Sequence, residues 1–215
     1  MTQAASLRLE KVRLGLDGRT LLDLDCTVAP GEILTLMGPS GSGKSSLLAF
    51  VAGFLPPAFE AYGHVWLNGD EITALPAERR RVGLMFQDPL LFPHMSVGAN
   101  LAFALSREAA KPKPERARLV EEALAEAGLA GFSDRDPATL SGGQQSRVAL
   151  MRVLLARPRA LLLDEPFSRL DRELRSQMRE FVFAEARKHD LPVLLVTHDH
   201  EDAEAAGGTV IELEG

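Results

Sequence analysis

The segment Gly38–Ser46 constrains the fold more than any other part of the sequence. It reads GPSGSGKSS, with glycines and serines around a single lysine. The apolar run Ile33–Met37 before it predicts a β-strand, and the apolar run Leu47–Val51 after it predicts a helix. Residues Gly38–Ser45 satisfy the pattern G-x-x-x-x-G-K-[ST], which is typical of a phosphate-binding loop between a strand and a helix. We therefore expect an α/β fold with a nucleotide site.

The residue types of this loop suit a multiply charged triphosphate. Glycines let backbone N–H groups turn inward without a Cβ in the way, and a helix beginning near Lys44 points its positive end at the phosphates. Lys44 is expected to reach the β- and γ-phosphates, and the Ser45 hydroxyl to hold Mg²⁺. A plain glycine and serine turn is the alternative, but the strand-then-helix setting favours a nucleotide site. The residues predicted to bind nucleotide here are Gly38, Pro39, Ser40, Gly41, Ser42, Gly43, Lys44, Ser45 and Ser46.

Composition narrows the classes of partner. The length of 215 residues suits one large domain or a core with a subdomain, and the net charge of -6 gives no basic field to attract nucleic acid. A single cysteine, Cys26, excludes an internal disulfide. The N-terminal segment lacks the apolar core of a signal peptide, and the longest apolar stretch, Leu47–Leu55, is about half of a membrane span. We expect a soluble chain without a nucleic-acid partner, which reaches a membrane only through another protein.

Short β-rich runs alternate with helical runs over most of the chain, which is typical of an α/β fold with a largely parallel sheet. The candidate strands are Leu7–Leu9, Leu21–Val28, Ile33–Met37, His64–Leu67, Val82–Phe86, Ala160–Leu163, Val193–Thr197 and Thr209–Leu213. No convincing strand occurs between Phe86 and Ala160, where the pattern is helical with turn residues. We therefore expect a helical subdomain inserted into an α/β core.

The clearest predicted helix of this insertion is Glu115–Ala127. It begins within a charged, proline-containing segment, KPKPERAR, which predicts a solvated loop. Leu119, Ala123 and Ala127 recur at helical spacing and are expected to form the buried face. Gly128 is the expected stop.

A second motif, ALLLDEP at Ala160–Pro166, predicts an apolar strand that ends in two carboxylates. Asp164 at the strand end can hold Mg²⁺ through water. Glu165 is expected to face differently because side chains alternate along a strand, which suits a general base for an attacking water. An ordinary strand end with a solvated acidic turn is the alternative, and the phosphate-binding loop in the same chain disfavours it.

A third motif, Leu140–Gln144, reads LSGGQ and precedes a long helix with one apolar face. A serine and two glycines at a helix start can form a second anion site from backbone N–H groups and one hydroxyl. On their own, these residues would more often be a plain N-cap. One triphosphate does not obviously need two anion sites in one chain, so two chains that share a nucleotide would explain both motifs.

These motifs resemble those of the ATP-binding subunits of ABC transporters over nearly the whole chain. The matching residues are Gly38–Ser45, Gln87 in LMFQDPLLFPHMSV, Leu140–Gln144, Asp164-Glu165, Ser168–Asp171 and His198 in LLVTHDHEDA. The resemblance implies a P-loop NTPase (RecA-like) α/β core with a mainly parallel sheet, an antiparallel β subdomain and an inserted helical subdomain. It assigns residues 1–87 and 157–215 to the core and residues 88–156 to the helical subdomain.

The resemblance also implies a role for each motif. Glu165 would be the catalytic base, and His198 would contact the γ-phosphate and help to orient Glu165. Gln87 would contact Mg²⁺, together with Ser45 and Asp164, and link the site to the membrane subunit. ATP would lie between the subunits of a head-to-tail homodimer. The opposite chain would then contribute Ser141, Gly142, Gly143, Gln144 and Asp171.

A transport role follows from the same resemblance. One ATP-binding domain without a membrane span implies integral-membrane permease subunits on separate polypeptides, with this chain on the inner face of the cell membrane. The segment FQDPLLFPHMSVGANLAFAL resembles that of bacterial import ATPases for small solutes and ions, so import is expected, and a solute-binding protein is a further implied partner. The apolar candidates for contact with a permease helix, or alternatively for internal packing, are Phe92, Pro93, Met95 and Val97.

One departure from the family concerns the adenine base. The family usually has an aromatic residue early in the chain that stacks on adenine. The corresponding position falls within Leu14–Leu16, and the first 49 residues contain no Phe, Tyr or Trp. Leu14 or Leu16 is expected to offer apolar contact instead, which weakens the preference for ATP over GTP.

Three other functions remain open. An exporter or lipoprotein-release ATPase would share every catalytic motif. A soluble ABC protein of repair or translation usually joins two ATPase halves or inserts long coiled coils, and this chain has no heptad run. A binding-only regulatory module would be expected to lose Glu165 or His198, and both are present.

Overall fold

The computed structural model describes residues 6–105 and 112–213. A five-stranded sheet forms the core, and all of its neighbouring strands are parallel, as expected. Its strands are β3 (Ile33–Met37), β6 (Val82–Met85), β7 (Ala160–Asp164), β8 (Val193–Val196) and β9 (Val210–Glu212). The order across the sheet is β6-β7-β8-β3-β9, so the carboxyl ends of β6, β7, β8 and β3 lie side by side at one edge.

A second, antiparallel sheet lies in the N-terminal part of the chain. Its strands are β1 (Leu7–Leu16), β2 (Arg19–Val28), β4 (Phe59–Leu67) and β5 (Asp70–Glu71), in the order β2-β1-β4-β5. β1 and β4 are longer than the sequence predicts. The reason is a shift in register after Leu9, where Lys11 has a positive φ of 48° and the next buried residue is Val12. Such a bulge interrupts the alternation that marks a strand in a sequence.

Six helices complete the described part of the chain. They are α1 (Lys44–Ala52), α2 (Val97–Ala104), α3 (Lys113–Glu126), α4 (Gly142–Leu155), α5 (Arg172–Lys188) and α6 (His200–Ala206), with 3-10 turns at Ala77–Arg79 and Pro137–Thr139. α2, α3 and α4 lie between β6 and β7 and share an apolar cluster that includes Leu101, Leu124 and Val148. This arrangement confirms the helical insertion, and the boundaries given above stay predictions. None of the described helices is long and apolar enough to cross a membrane.

The parallel sheet is covered on both faces, which explains its apolar strands. Leu162 and Leu194 face the cluster that contains α1 and the antiparallel sheet, whereas Leu161 and Leu195 face α5 on the other side. Phe183 of α5 packs in that second cluster. All four leucines are fully buried, and burying each one contributes about 1.5–3 kcal/mol. The sheet edge that carries the motifs is therefore rigidly supported.

Helix α3 corrects one detail of the sequence prediction. It begins at Lys113, so this residue and Pro114 form its first turn rather than part of a loop, and Lys111 lies outside the described residues. Its buried residues are Val120, Ala123 and Leu124, with Ala127 at the C-cap and Leu119 only half-buried. The buried stripe is thus shifted by one residue towards Val120, because Leu124 and not Leu119 enters the apolar cluster.

Candidate active site

Two adjoining clefts lie at the carboxyl edge of the parallel sheet. The first is lined by Gly38, Ser40, Gly41, Gly43, Lys44, Ser45, Ser46, Glu165 and His198. The second is lined by Ser45, Phe86, Gln87, Asp88, Leu90, Asp164 and Glu165. Ser45 and Glu165 belong to both clefts, so the motifs that follow β3, β6, β7 and β8 meet in one continuous site.

The loop before α1 has the backbone that a phosphate site needs. Gly41 and Gly43 have positive φ values of 87° and 86°, which L side chains rarely adopt. Gly43 is the N-cap residue of α1, and no side chain caps this helix. The first N–H groups of α1 have no partner within the helix, so they remain available to an anion at its positive end.

Lys44 is held by its own loop. Its Nζ donates hydrogen bonds to the carbonyl oxygens of Gly38 (2.8 Å) and Pro39 (2.7 Å) and lies 3.4 Å from Oγ of Ser42. The side chain is buried. These three acceptors are neutral, so the charge of the ammonium group is not compensated by them and can attract a phosphate.

Ser45 and Asp164 bring two oxygen ligands together. The Ser45 hydroxyl donates a hydrogen bond of 3.0 Å to Oδ1 of Asp164. Burial raises the pKa of Asp164, and the hydrogen bond from Ser45 partly offsets that effect. A hydroxyl and a carboxylate fit Mg²⁺, which prefers oxygen ligands and usually keeps water and phosphate oxygens as the others. Gln87 lines the same cleft and adds an amide oxygen.

Glu165 lies just beyond β7, so the alternation of side chains along that strand, on which the sequence prediction relied, does not set its direction. Its φ is +46°, a left-handed conformation that is uncommon for a residue other than glycine and costs on the order of 1–3 kcal/mol. Its N–H donates to the carbonyl oxygen of Val196, and its own carbonyl accepts from Oγ of Ser168 at 2.8 Å. The end of β8 and the loop that contains Ser168 thus hold the strained residue.

His198 lies opposite Glu165 in the first cleft. Its Nδ1 is 3.2 Å from Oε1 of Glu165, and the imidazole is largely exposed. Thr197, which precedes it, is buried and donates a hydrogen bond of 2.9 Å to Asp202. The pair therefore combines a fixed backbone with side chains that face the cleft.

The motif Leu140–Gln144 lies elsewhere. Ser141 is the N-cap of α4 and forms a capping box with Gln144: Oγ of Ser141 accepts from the Gln144 N–H, and Oε1 of Gln144 accepts from the Ser141 N–H. Asp171 is likewise the N-cap of α5, where it accepts from the N–H of Leu174. The described residues that line the two clefts include neither Gly142 and Gly143 nor these capping residues.

The apolar candidates after Gln87 separate into two groups. Val97 is fully buried in the apolar cluster of α2–α4, so it belongs to internal packing. Pro93 is exposed, and Phe92 and Met95 are half-buried. The sequence interpretation missed Phe86, Leu90 and Phe103, which are exposed large apolar side chains near the same segment. Phe103 contacts Phe92 edge-to-face with ring centroids 4.9 Å apart. An apolar run does not show which of its side chains will remain exposed after folding, so the sequence did not single out these residues.

Leu14 and Leu16 also differ in environment. Leu14 is fully buried in the core and has no surface to offer a base, whereas Leu16 is half-buried and lies opposite Phe59 in the antiparallel sheet. Of the two residues, only Leu16 retains exposed apolar surface.

A model of the family described as ABC transporter matches residues 21–168. The chain is 50% identical over 200 residues to the uncharacterized ABC transporter ATP-binding protein YnjD of Escherichia coli, covering 93% of this chain and 88% of that protein.

Two longer relatives carry names that include a transported solute. The chain is 39% identical over 212 residues to the Fe(3+) ions import ATP-binding protein FbpC of Escherichia coli, covering 98% of this chain and 60% of that protein. It is 44% identical over 195 residues to the spermidine/putrescine import ATP-binding protein PotA of Oleidesulfovibrio alaskensis, covering 91% of this chain and 51% of that protein. The chain thus spans little more than half the length of these two relatives.

Proposed function

This chain belongs to the ABC transporter family, and we propose that it is the ATP-hydrolysing subunit that drives import of a small solute or ion through separate membrane subunits. One observation carries the proposal: a single sheet edge brings Lys44, Ser45, Asp164, Glu165 and His198 into one continuous site. The import names of two relatives support the direction of transport.

Binding would begin at the loop before α1. The triphosphate would accept hydrogen bonds from the uncapped N–H groups of α1, and Lys44 would exchange its three neutral acceptors for phosphate oxygens. Ser45, Asp164 and Gln87 would hold Mg²⁺, which neutralises phosphate charge when it is bound. Leu16 would be the apolar contact for the base.

Hydrolysis would use the pair Glu165 and His198. Glu165 would accept a proton from the attacking water, and His198, 3.2 Å away, would fix the orientation of that carboxylate and contact the γ-phosphate. The left-handed backbone at Glu165 supports this role because strain of this kind persists where the surrounding loops hold a residue in a functional position.

A homodimer would complete the site. Ser141 uses its hydroxyl oxygen to accept from Gln144, and its hydroxyl proton is free to donate to the γ-phosphate bound by a second chain. Asp171 would lie near the opposite phosphate-binding loop. Neither Ser141 nor Asp171 lines the clefts of its own chain, which supports assembly with a partner copy.

The exposed apolar residues after Gln87 would receive a helix of the permease on the inner face of the cell membrane. Phe86, Leu90 and Phe103 offer the exposed surface, with Phe92, Pro93 and Met95 beside them. Leu90 lies in the cleft with Gln87, so movement of a docked helix would reach the nucleotide site directly. A solute-binding protein on the other side of the membrane would deliver the solute.

The test is the molar mass of the Glu165→Gln chain by size-exclusion chromatography with light scattering, with and without ATP and Mg²⁺. We expect a dimer only with ATP, because the variant binds ATP and cannot hydrolyse it, and we expect ATP hydrolysis by the unmodified chain. Titration with a fluorescent ATP analogue measures the nucleotide affinity of the variant and of the unmodified chain. Absence of nucleotide binding would contradict the function, and binding without a dimer would contradict the shared site.

A further inference from the structure

Arg175 of α5 contacts two loops of the active site from outside the clefts. We propose that Arg175 is a positioning residue for hydrolysis, which sets the separation of Glu165 and His198 by holding the loop after each of them. The inference rests on the proposed ATPase function. In this role Arg175 contacts neither the nucleotide nor the attacking water.

The two branches of the guanidinium group go to different loops. Nη1 forms an ion pair with Oδ2 of Asp199, the residue directly after His198. Nη2 donates a hydrogen bond of 3.3 Å to the carbonyl oxygen of Ser168. The two ion-paired side chains are only 22% and 24% exposed, so this contact is screened by solvent less than a surface pair would be.

Each loop transmits the contact to one catalytic side chain. Ser168 donates from its hydroxyl to the carbonyl oxygen of Glu165 at 2.8 Å, which fixes the strained backbone of that residue. Asp199 accepts from the N–H of Glu201 at the start of α6, and its own N–H donates to Oγ1 of Thr197 at 3.1 Å. The backbone on either side of His198 is therefore anchored. The guanidinium group of Arg175 connects Asp199, on the His198 side, to Ser168, on the Glu165 side.

A second arginine should keep α6 docked when Arg175 is changed. Arg179, one turn later on α5, lies 3.2 Å from Oε2 of Glu201 and 3.4 Å from Oδ1 of Asp202. Asp202 accepts from Thr197, so Arg179 holds α6 against α5 without a contact to Asp199 or Ser168. Loss of Arg175 should leave α6 docked and release only the loops.

The fork of an arginine is needed because the two acceptors require two separate N–H groups. A lysine at position 175 can pair with Asp199 but cannot serve both loops with the same geometry. Lysine should therefore restore part of the activity that methionine removes.

The experiment compares Arg175→Met with the matched control Arg172→Met. Arg172 lies in the same turn of α5, is 92% exposed and reaches Glu201 only at 4.0 Å. The full chain is assayed for steady-state ATP hydrolysis, and affinity is measured with a fluorescent ATP analogue. We expect Arg175→Met to lower kcat by roughly 10-fold to 100-fold, as a displacement of about 1 Å can do, with affinity and KM changed less than about 2-fold. Arg172→Met should match the unmodified chain, and Arg175→Lys should be intermediate.

A double-mutant cycle separates positioning from general damage. Asp199→Asn keeps a side chain that can cap α6 but removes the charge, and it should lower kcat in the same way as Arg175→Met. The double variant should be no more than about 2-fold slower than the slower single variant, since both changes break one connection.

The outcomes are distinct. Three results would each overturn the inference while the ATPase function stands. They are a kcat of Arg175→Met equal to that of Arg172→Met, a loss of nucleotide affinity in Arg175→Met as large as its loss of kcat, and additive losses of kcat in the double variant. If Arg175→Met does not fold, Arg175→Lys and Asp199→Asn decide by the same criteria. An unmodified chain that hydrolyses no ATP would contradict the proposed function, and the inference with it.

Discussion

Two helix starts in this chain have nearly the same residue types but opposite hydrogen-bonding states. α1 follows Gly38–Gly43 and has no side-chain cap, whereas α4 follows Ser141 and has a complete capping box. The uncapped start costs stability and leaves N–H groups for a ligand within the same chain. The capped start is stable without a ligand and retains one free hydroxyl proton. Similar glycine and serine motifs therefore differ in what they leave free: N–H groups at α1, and one hydroxyl proton at α4, which fits the proposed contact with a second chain.

The largest effect should come from a substitution in the cleft that the loop before α1 lines. Glu165→Gln should lower turnover by about 10²-fold to 10⁴-fold, because an amide cannot accept the proton from water. Affinity for a fluorescent ATP analogue should stay within about 2-fold of the unmodified chain. Steady-state hydrolysis measures the effect, with Glu173→Gln at the exposed start of α5 as the control. A variant with full activity would remove Glu165 from the role of base.

Lys44→Ala should produce the next largest effect. Removal of the ammonium group eliminates charge-assisted hydrogen bonds to phosphate and should weaken ATP binding by roughly 100-fold. Titration with a fluorescent ATP analogue measures the affinity, and Lys113→Ala in the first turn of α3 controls for the loss of a lysine elsewhere. Unchanged affinity would mean that the triphosphate is not held at α1.

Ser141→Ala should discriminate between the two helix starts. In the single chain the affinity for ATP should not change, because Ser141 lies outside both clefts. In a dimer the loss of one charge-assisted hydrogen bond to the γ-phosphate should lower turnover by about 10-fold to 100-fold. Binding and hydrolysis are measured on the same preparation. A loss of affinity in the monomeric chain would contradict a role across the dimer.

Gln144→Ala should have the smallest effect and concerns stability. The substitution removes one of the two reciprocal hydrogen bonds of the capping box and should lower the free energy of unfolding by about 0.5–1 kcal/mol. Urea unfolding followed by circular dichroism measures the change. The same loss should not follow from Ser40→Ala in the loop before α1, where no side chain caps the helix. Equal losses at both positions would remove the distinction drawn between the two helix starts.

The sequence predicts the parallel sheet and its functional edge well because both follow from local patterns. Apolar runs mark β3, β7 and β8, and residues at or just after their carboxyl ends line the clefts. The prediction of the antiparallel sheet was incomplete because the bulge at Lys11 shifts the alternation by one residue. The left-handed turn at Glu165 was missed because no local pattern marks positive φ in a residue other than glycine.

Other features depend on contacts distant in sequence. Val97 was expected to be a candidate for docking or packing, and only the arrangement of α2 against α4 shows that it is buried. The contact of Arg175 with Asp199 also cannot be predicted from the sequence, since Asp199 is 24 residues away and many charged residues are closer. The contacts of a long charged side chain are decided by the assembled helices, not by local spacing.

The hydrogen bonds of Lys44 to its own loop have a consequence for the rate of nucleotide binding. The carbonyl oxygens of Gly38 and Pro39 hold the ammonium group, so contacts within the chain order this loop. The conformational entropy of ordering the loop is spent during folding of the chain and not at each encounter with nucleotide. With the triphosphate bound at this loop as proposed, association would need only the exchange of neutral acceptors for charged ones, and the site could rebind nucleotide after each turnover without refolding of the loop.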